Sequence, residues 1–125
     1  MAGKTILVVE DEPIIGMEIQ ESLQAAGYHV PEVIKNADGV MPSVIKYDPH
    51  LVIMDIYLKS FIDGIDAAQR IKMFRKTPVI FLTAYPNETI RKKAMTIQPD
   101  GYLLKPIKDE ELHAHVEMVL KQYHP

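Results

Sequence analysis

Three short stretches of this chain, Ile6-Leu7-Val8-Val9, Leu51-Val52-Ile53-Met54 and Val79-Ile80-Phe81-Leu82, are apolar at every position. Strands with one wet face alternate apolar and polar residues, so unbroken runs of this length are the mark of strands covered on both faces, as in the centre of a parallel sheet. Between them the period changes to that of helices. Pro13 to Ala26 carries Ile15, Ile19, Leu23 and Ala26 on one face, starts with a first-turn proline and stops at Gly27. Further helices are expected from Ile65-Ala68-Ile71, from Ile90-Ala94-Ile97 behind a candidate Asn87 cap, and from Leu112-Val116-Val119, whose opening Asp109, Glu110 and Glu111 suit the positive end of a helix dipole.

Two weaker strands complete the pattern: 28–34, and 102–104 after Gly101. Pro31 cannot donate to a ladder and places the first of these at a sheet edge. Pro42 should shorten or delay the helix expected over 38–47, making it the poorest of the five. Five strands alternating with five helices over 125 residues predict one doubly wound α/β domain filling positions 1–125, with no output domain.

With no cysteine, and with no uncharged stretch longer than Thr77–Asn87, neither a disulfide scaffold nor a membrane-spanning helix is expected, and the chain is read as cytoplasmic. Seventeen acids against fourteen bases give a net charge of -3, which excludes a general basic field for nucleic acid or anionic lipid.

In an open parallel sheet, ligands collect beyond the carboxyl ends of the strands. There the chain delivers Glu10 and Asp11, then Asp55, Thr83, and Lys105-Pro106. Carboxylates crowded at ~4 Å repel by about 4 kcal/mol per pair at an effective dielectric of ~20, so a cation is required. Lys105 offers one charge and Mg²⁺, a hard ion with oxygen ligands, offers two. Asp55 is then a candidate nucleophile of the aspartyl-phosphate type, with Thr83 and Lys105 holding phosphoryl oxygens. Taken singly, each of these residues has an ordinary structural explanation, as helix cap, turn residue or solvated lysine.

The segments 6–13 (ILVVEDEP), 48–55 (DPHLVIMD), 63–65 (DGI), 78–84 (PVIFLTA) and 101–106 (GYLLKP), in this order and spacing, resemble the receiver domain of two-component response regulators. The resemblance implies a chemotaxis-regulator-like (flavodoxin-like) sheet of order 2-1-3-4-5 with helices on both faces. It implies that Asp55 accepts a phosphoryl group from a sensor histidine kinase or histidine phosphotransfer protein. Glu10, Asp11, Asp55 and the backbone carbonyl of Tyr57 would hold Mg²⁺, with Mn²⁺ as a substitute. Thr83 and Lys105 would contact the phosphoryl group, Lys105–Pro106 would be a cis peptide, and Tyr102 would act with Thr83 as the switch. The fourth helix, fifth strand and fifth helix would form the output face, toward an unknown downstream protein or a phosphorylation-dependent homodimer, without direct nucleic-acid or membrane contact.

Two departures stand out. Glu10 replaces the aspartate that many members carry, and the loop after Asp55 is one residue longer than the commonest form and lacks its proline, as in a subset that includes archaeal and kinase-attached receivers. Tyr57 and Tyr85 fall where the family admits hydrolytic water; either their rings restrict that water and prolong the phosphorylated state, or both point to solvent. Competing functions are a phosphorylation-independent interaction module and a small aspartyl-phosphate phosphohydrolase; the second is disfavoured because Tyr57 stands where such an enzyme places a second acid. The absence of Gly-x-Gly-x-x-Gly after the first strand argues against dinucleotide binding. The histidines are read as edge, surface or unpaired helix residues, and Arg91-Lys92-Lys93 as a solvated helix face.

Overall fold

The computed structural model describes residues 3–58, 64–85 and 87–123. In chain order the elements are β1 (Ile6–Val9), α1 (Pro13–Ala25), β2 (Val33–Ile34), α2 (Val40–Tyr47), β3 (Leu51–Asp55), α3 (Gly64–Phe74), β4 (Val79–Thr83), α4 (Glu88–Met95), β5 (Gly101–Leu104) and α5 (Asp109–Gln122). The strands form one parallel sheet in the order β2-β1-β3-β4-β5. Every residue of β1, β3 and β4 is buried, as their unbroken apolar runs require.

Successive side chains leave opposite faces of the sheet and feed two cores. Leu7, Val9, Val52, Met54, Val79 and Phe81 pack with Val40, Val44, Ile65, Ala68, Ile71 and Ala94 of α2, α3 and α4. Ile6, Val8, Leu51, Ile53, Ile80 and Leu82 pack with Ile19 and Leu23 of α1 and with Leu112, Val116 and Val119 of α5. Each fully buried side chain of this size contributes about 1.5–3 kcal/mol, so the two layers lock the strand ends into one rigid rim.

Helix ends follow local chemistry. Pro13 opens α1, and the chain leaves it through Gly27 at φ 97°, a left-handed conformation that glycine adopts without steric cost. Asn87 caps α4 by accepting from the Ile90 amide at 3.1 Å.

The edge position of the second strand is as expected, but its length is not. Only Val33 and Ile34 pair with β1, preceded by an isolated bridge between Thr5 and His29. Pro31 has no amide to give, and the Val30 carbonyl is taken by the Gln20 and Gln24 side chains at 3.0 and 3.2 Å. Helix α1 stops at Ala25, leaving Ala26 exposed. A 3₁₀ turn over Ala37–Gly39, capped by Asn36, precedes α2, so Pro42 falls in the first turn, where no intrahelical donor is lost. The helix is delayed, as expected, yet it spans eight residues, no fewer than α4.

Candidate functional site

The carboxyl ends of β1, β3, β4 and β5 converge on one rim, and backbone hydrogen bonds between them fix it. The Glu10 amide donates to Ile34 O at 2.9 Å, Ile56 N to Leu82 O at 3.0 Å, and Lys105 N to Thr83 O at 2.8 Å. Glu10, Asp11 and Asp55 each present one carboxylate oxygen, all within 4.8 Å of one another. Glu10 and Asp55 are buried, and Asp11 is half-buried.

Lys105 reaches across this group. Its Nζ stands 2.5 Å from Glu10 Oε1, an ion pair whose angles are not those of a hydrogen bond, and 3.4 Å from Asp55 Oδ2. The other oxygens are held by backbone: Glu10 Oε2 accepts from the Glu12 amide and Asp55 Oδ1 from the Tyr57 amide, both at 3.1 Å. The longer arm of glutamate is thus used twice, to reach Lys105 and to order the turn into α1.

One ammonium against two buried carboxyls leaves the site short of positive charge. Burial first, then the Glu10 carboxyl beside it, raises Asp55 to about 7, against the pull of Lys105 and the Tyr57 amide. Burial raises Glu10 too, but the neighbouring Asp55 carboxyl, the Lys105 ammonium and the hydrogen bond from the Glu12 amide outweigh it and hold Glu10 below its ordinary value. Burial and mutual repulsion thus oppose ionising both carboxyls at once, and Asp55 is the one pushed up. Lys105 is lowered by burial and raised more strongly by both carboxylates, so it stays charged.

Beside the group, Asp11, Asp55, Tyr57, Ala84, Tyr85 and Lys105 line an open cleft of about 200 Å³. The Tyr57 and Tyr85 rings meet edge to face across it, with centroids 5.2 Å apart and planes at 87°. Tyr57 is half-buried against the α2–α4 core, while Tyr85 is 63% exposed, so only one of the two rings faces mainly solvent.

Thr83 is fully buried, and its hydroxyl is turned to its own loop, accepting from the Tyr85 amide at 3.1 Å. Tyr102 packs half-buried on the same core as Tyr57, under the Arg91 guanidinium 5.9 Å from its ring centroid. Its hydroxyl is buried and has no hydrogen-bond partner among the described residues, and burial raises its pKa. The Lys105–Pro106 peptide bond is cis.

The acids, the lysine and the cleft stand together as the strand-end spacing predicts; the Thr83 and Tyr102 hydroxyls lie beside them and make no hydrogen bond to the carboxylates or to the Lys105 ammonium among the described residues. Of the long loop after Asp55, residues 59–63 lie outside the described residues, as does His124.

Residues 6–117 match the sequence profile of the response regulator receiver domain. The chain belongs to that family. It is a receiver domain of two-component response regulators, a signalling switch. It is 34% identical over 120 residues to the transcriptional regulatory protein BaeR of Escherichia coli, covering 96% of this chain and 49% of that protein. To the uncharacterised transcriptional regulatory protein YrkP of Bacillus subtilis it is 39% identical over 119 residues, covering 94% of this chain and 50% of that one. The receiver thus spans about half the length of these curated relatives. The crystal structure of the signal receiver domain of a modulated diguanylate cyclase from Desulfovibrio desulfuricans superposes with a TM-score of 0.90 at 28% identity, covering 96% of this chain and 95% of that one. A chemotaxis-regulator-like receiver domain from Methanospirillum hungatei, at 22% identity and TM-score 0.90 over 97% of this chain and 96% of that one, shares the fold.

Strand-end reading missed Gly64. A Cβ there would sit 2.0 Å from the Asp55 carbonyl oxygen and 2.8 Å from Ile56 Cα, so only glycine lets α3 start against the end of β3. Its signal was present in the Asp63-Gly64-Ile65 motif, read there only for family likeness. Among the histidines, His50 is half-buried with Nδ1 accepting from the Thr5 amide at 3.0 Å, and His113 meets Ser22 across α1 and α5 at 2.8 Å.

Proposed function

We propose that this receiver is a phospho-accepting switch in which Asp55 takes a phosphoryl group from a phosphohistidine donor in a Mg²⁺-dependent reaction. The observation that carries the proposal is the cluster of Glu10, Asp11 and Asp55 oxygens within 4.8 Å, with one lysine between the two buried carboxyls. A site that pushes Asp55 up to about 7 for want of positive charge favours a further cation. Glu10, Asp11, Asp55 and the Tyr57 carbonyl supply the hard oxygen donors that Mg²⁺ takes. When bound, the ion supplies two positive charges that favour ionised carboxylates and offset charge on a phosphoryl group.

Asp55 Oδ1 is fixed by the Tyr57 amide, which leaves Oδ2 toward Lys105 as the attacking atom. A P–O bond to Asp55 forms as the P–N bond of the donor breaks, and the imidazole leaves with that electron pair. Lys105 passes from pairing two carboxylates to pairing a phosphoryl oxygen. Thr83 exchanges its Tyr85 amide contact for a phosphoryl oxygen. Tyr102, whose buried hydroxyl lacks a partner among the described residues, responds with it and alters the α4–β5–α5 face.

On this reading the chain is a switch that assists its own phosphorylation, not an enzyme acting on a separate substrate. Its partners are a sensor kinase or histidine phosphotransfer protein in the cytoplasm and a downstream protein, or a second copy of the chain, on the output face. The test is to incubate the protein with a small acyl phosphate and Mg²⁺, reduce the adduct with borohydride and map the modified peptide. The reading requires modification at Asp55; modification elsewhere, or equal modification of Asp55→Asn, contradicts it.

A further inference from the structure

The opposite end of the sheet carries a second cleft that the switch chemistry does not use. It lies where the chain enters β1, β3 and β4, beneath the last turn of α5, and measures about 430 Å³. Pro49, Pro78, Leu120 and the ring of Tyr123 give it apolar walls. That volume falls within the range of small-molecule pockets.

The polar groups left uncommitted there are donors. Thr77, only 6% exposed, lines the cleft, and its hydroxyl has no hydrogen-bond partner among the described residues. His50 accepts the Thr5 amide at Nδ1, so its ring proton is on Nε2 and remains to be donated. Lys4 and Lys76 also line the cleft, with no carboxylate partner among the described residues.

The acceptors nearby, including Asp48 in the cleft lining, each have a partner. Asp48 is paired with Arg75, and Asp100 takes the Tyr123 hydroxyl, Lys72 and the Val79 amide. The carbonyls of Lys4, Thr5 and Pro78 each accept a backbone amide. Two ammonium groups, an imidazole N–H and a hydroxyl between apolar walls are complementary to an oxyanion on a flat apolar body.

We propose that this cleft binds a small organic anion, a carboxylate or phosphate attached to a planar apolar group, with Thr77 and His50 as donors and Lys4 and Lys76 as charge partners. His50 and Asp55 stand at the two ends of β3, about 17 Å apart at ~3.3 Å per residue, so the site is separate from the phospho-acceptor.

The test is a titration of isotope-labelled protein in Mg²⁺-free buffer with benzoate, phenyl phosphate and inorganic phosphate, following the Thr5 amide and the His50 Nε2–H by NMR. Benzoate against phenyl phosphate distinguishes the anionic group, and inorganic phosphate lacks the apolar body. The proposal expects saturable shifts of both signals in the ~0.1–5 mM range for at least one aromatic anion, at least ~10-fold tighter than for inorganic phosphate. Thr77→Val, which removes an unpartnered hydroxyl and leaves the fold intact, should weaken binding ~3–10-fold, and Lys4→Ala with Lys76→Ala by more than ~10-fold. His50→Asn keeps an acceptor for the Thr5 amide while deleting the second ring nitrogen, and should act like Thr77→Val. Absence of saturable shifts at ~10 mM, shifts only around Asp55 and Lys105, or affinities unchanged in all these variants would overturn it.

Discussion

Replacing Asp55 with asparagine should make the metal-free protein more stable, although it removes the residue on which the switch depends. In the folded chain the carboxyl is raised to about 7 by burial and by Glu10, against ~3.9 in an unfolded chain. Once both states are ionised, that difference opposes folding by about 4 kcal/mol. Asparagine keeps the oxygen that accepts the Tyr57 amide and drops the charge. Because Lys105 also loses a partner at 3.4 Å, roughly half should be recovered, ~2 kcal/mol near pH 8.

The sign fixes the pH window. A carboxyl raised on folding weakens the native state above its folded value and is neutral in both states below its unfolded one. Wild type should therefore gain stability as pH falls from about 8 toward about 5, by at most ~1.4 kcal/mol per pH unit, while Asp55→Asn stays flat. Glu10, held low, contributes stability that is lost only at more acid pH, outside this window. Urea unfolding followed by far-UV circular dichroism, with chelator and low salt, measures both midpoints. Coincident midpoints near pH 8, or a gap undiminished near pH 5, would refute the reasoning.

Three further outcomes follow from the same geometry. Mg²⁺ should raise the melting temperature of wild type and remove its dependence on pH between about 5 and 8, and Asp11→Asn should abolish both effects; thermal scans with and without the ion check this. Gly64→Ala places a methyl 2.0 Å from the Asp55 carbonyl and should cost more than ~3 kcal/mol in urea, with loss of phosphoryl acceptance. Tyr57→Asn with Tyr85→Ala opens the edge-to-face pair beside Asp55 and should shorten the aspartyl-phosphate half-life by ~10-fold or more, read by timed acid quench and mass spectrometry; an unchanged half-life would show that the rings do not restrict water.

How far the sequence reached depends on which physics each feature obeys. The runs in β1, β3 and β4 declare burial on both faces, and burial on both faces leaves few folds open. Strand ends then bring Glu10, Asp11, Asp55 and Lys105 together, because parallel strands share one carboxyl rim. The second strand is shorter than its residues predict because the Gln20 and Gln24 amides claim the Val30 carbonyl from another element, which no local pattern announces. Gly64 was passed over for a similar reason, since its constraint is a carbonyl nine residues earlier in the chain. The Thr83 hydroxyl resting on the Tyr85 amide is a rotamer choice, and rotamers at buried sites are decided by packing. The lower cleft is assembled from the approaches to three strands and the end of α5, so its donors look like scattered surface residues until the sheet gathers them.

The account rests on Asp55 as the acceptor in a cation-assisted site, and intact mass after incubation with acetyl phosphate tests that most directly, for wild type and Asp55→Ala, with Mg²⁺ and with chelator. The predicted result is a gain of one phosphoryl group in wild type with Mg²⁺ and in no other sample. An adduct that forms equally without the ion or without Asp55, or none in any sample, would contradict it.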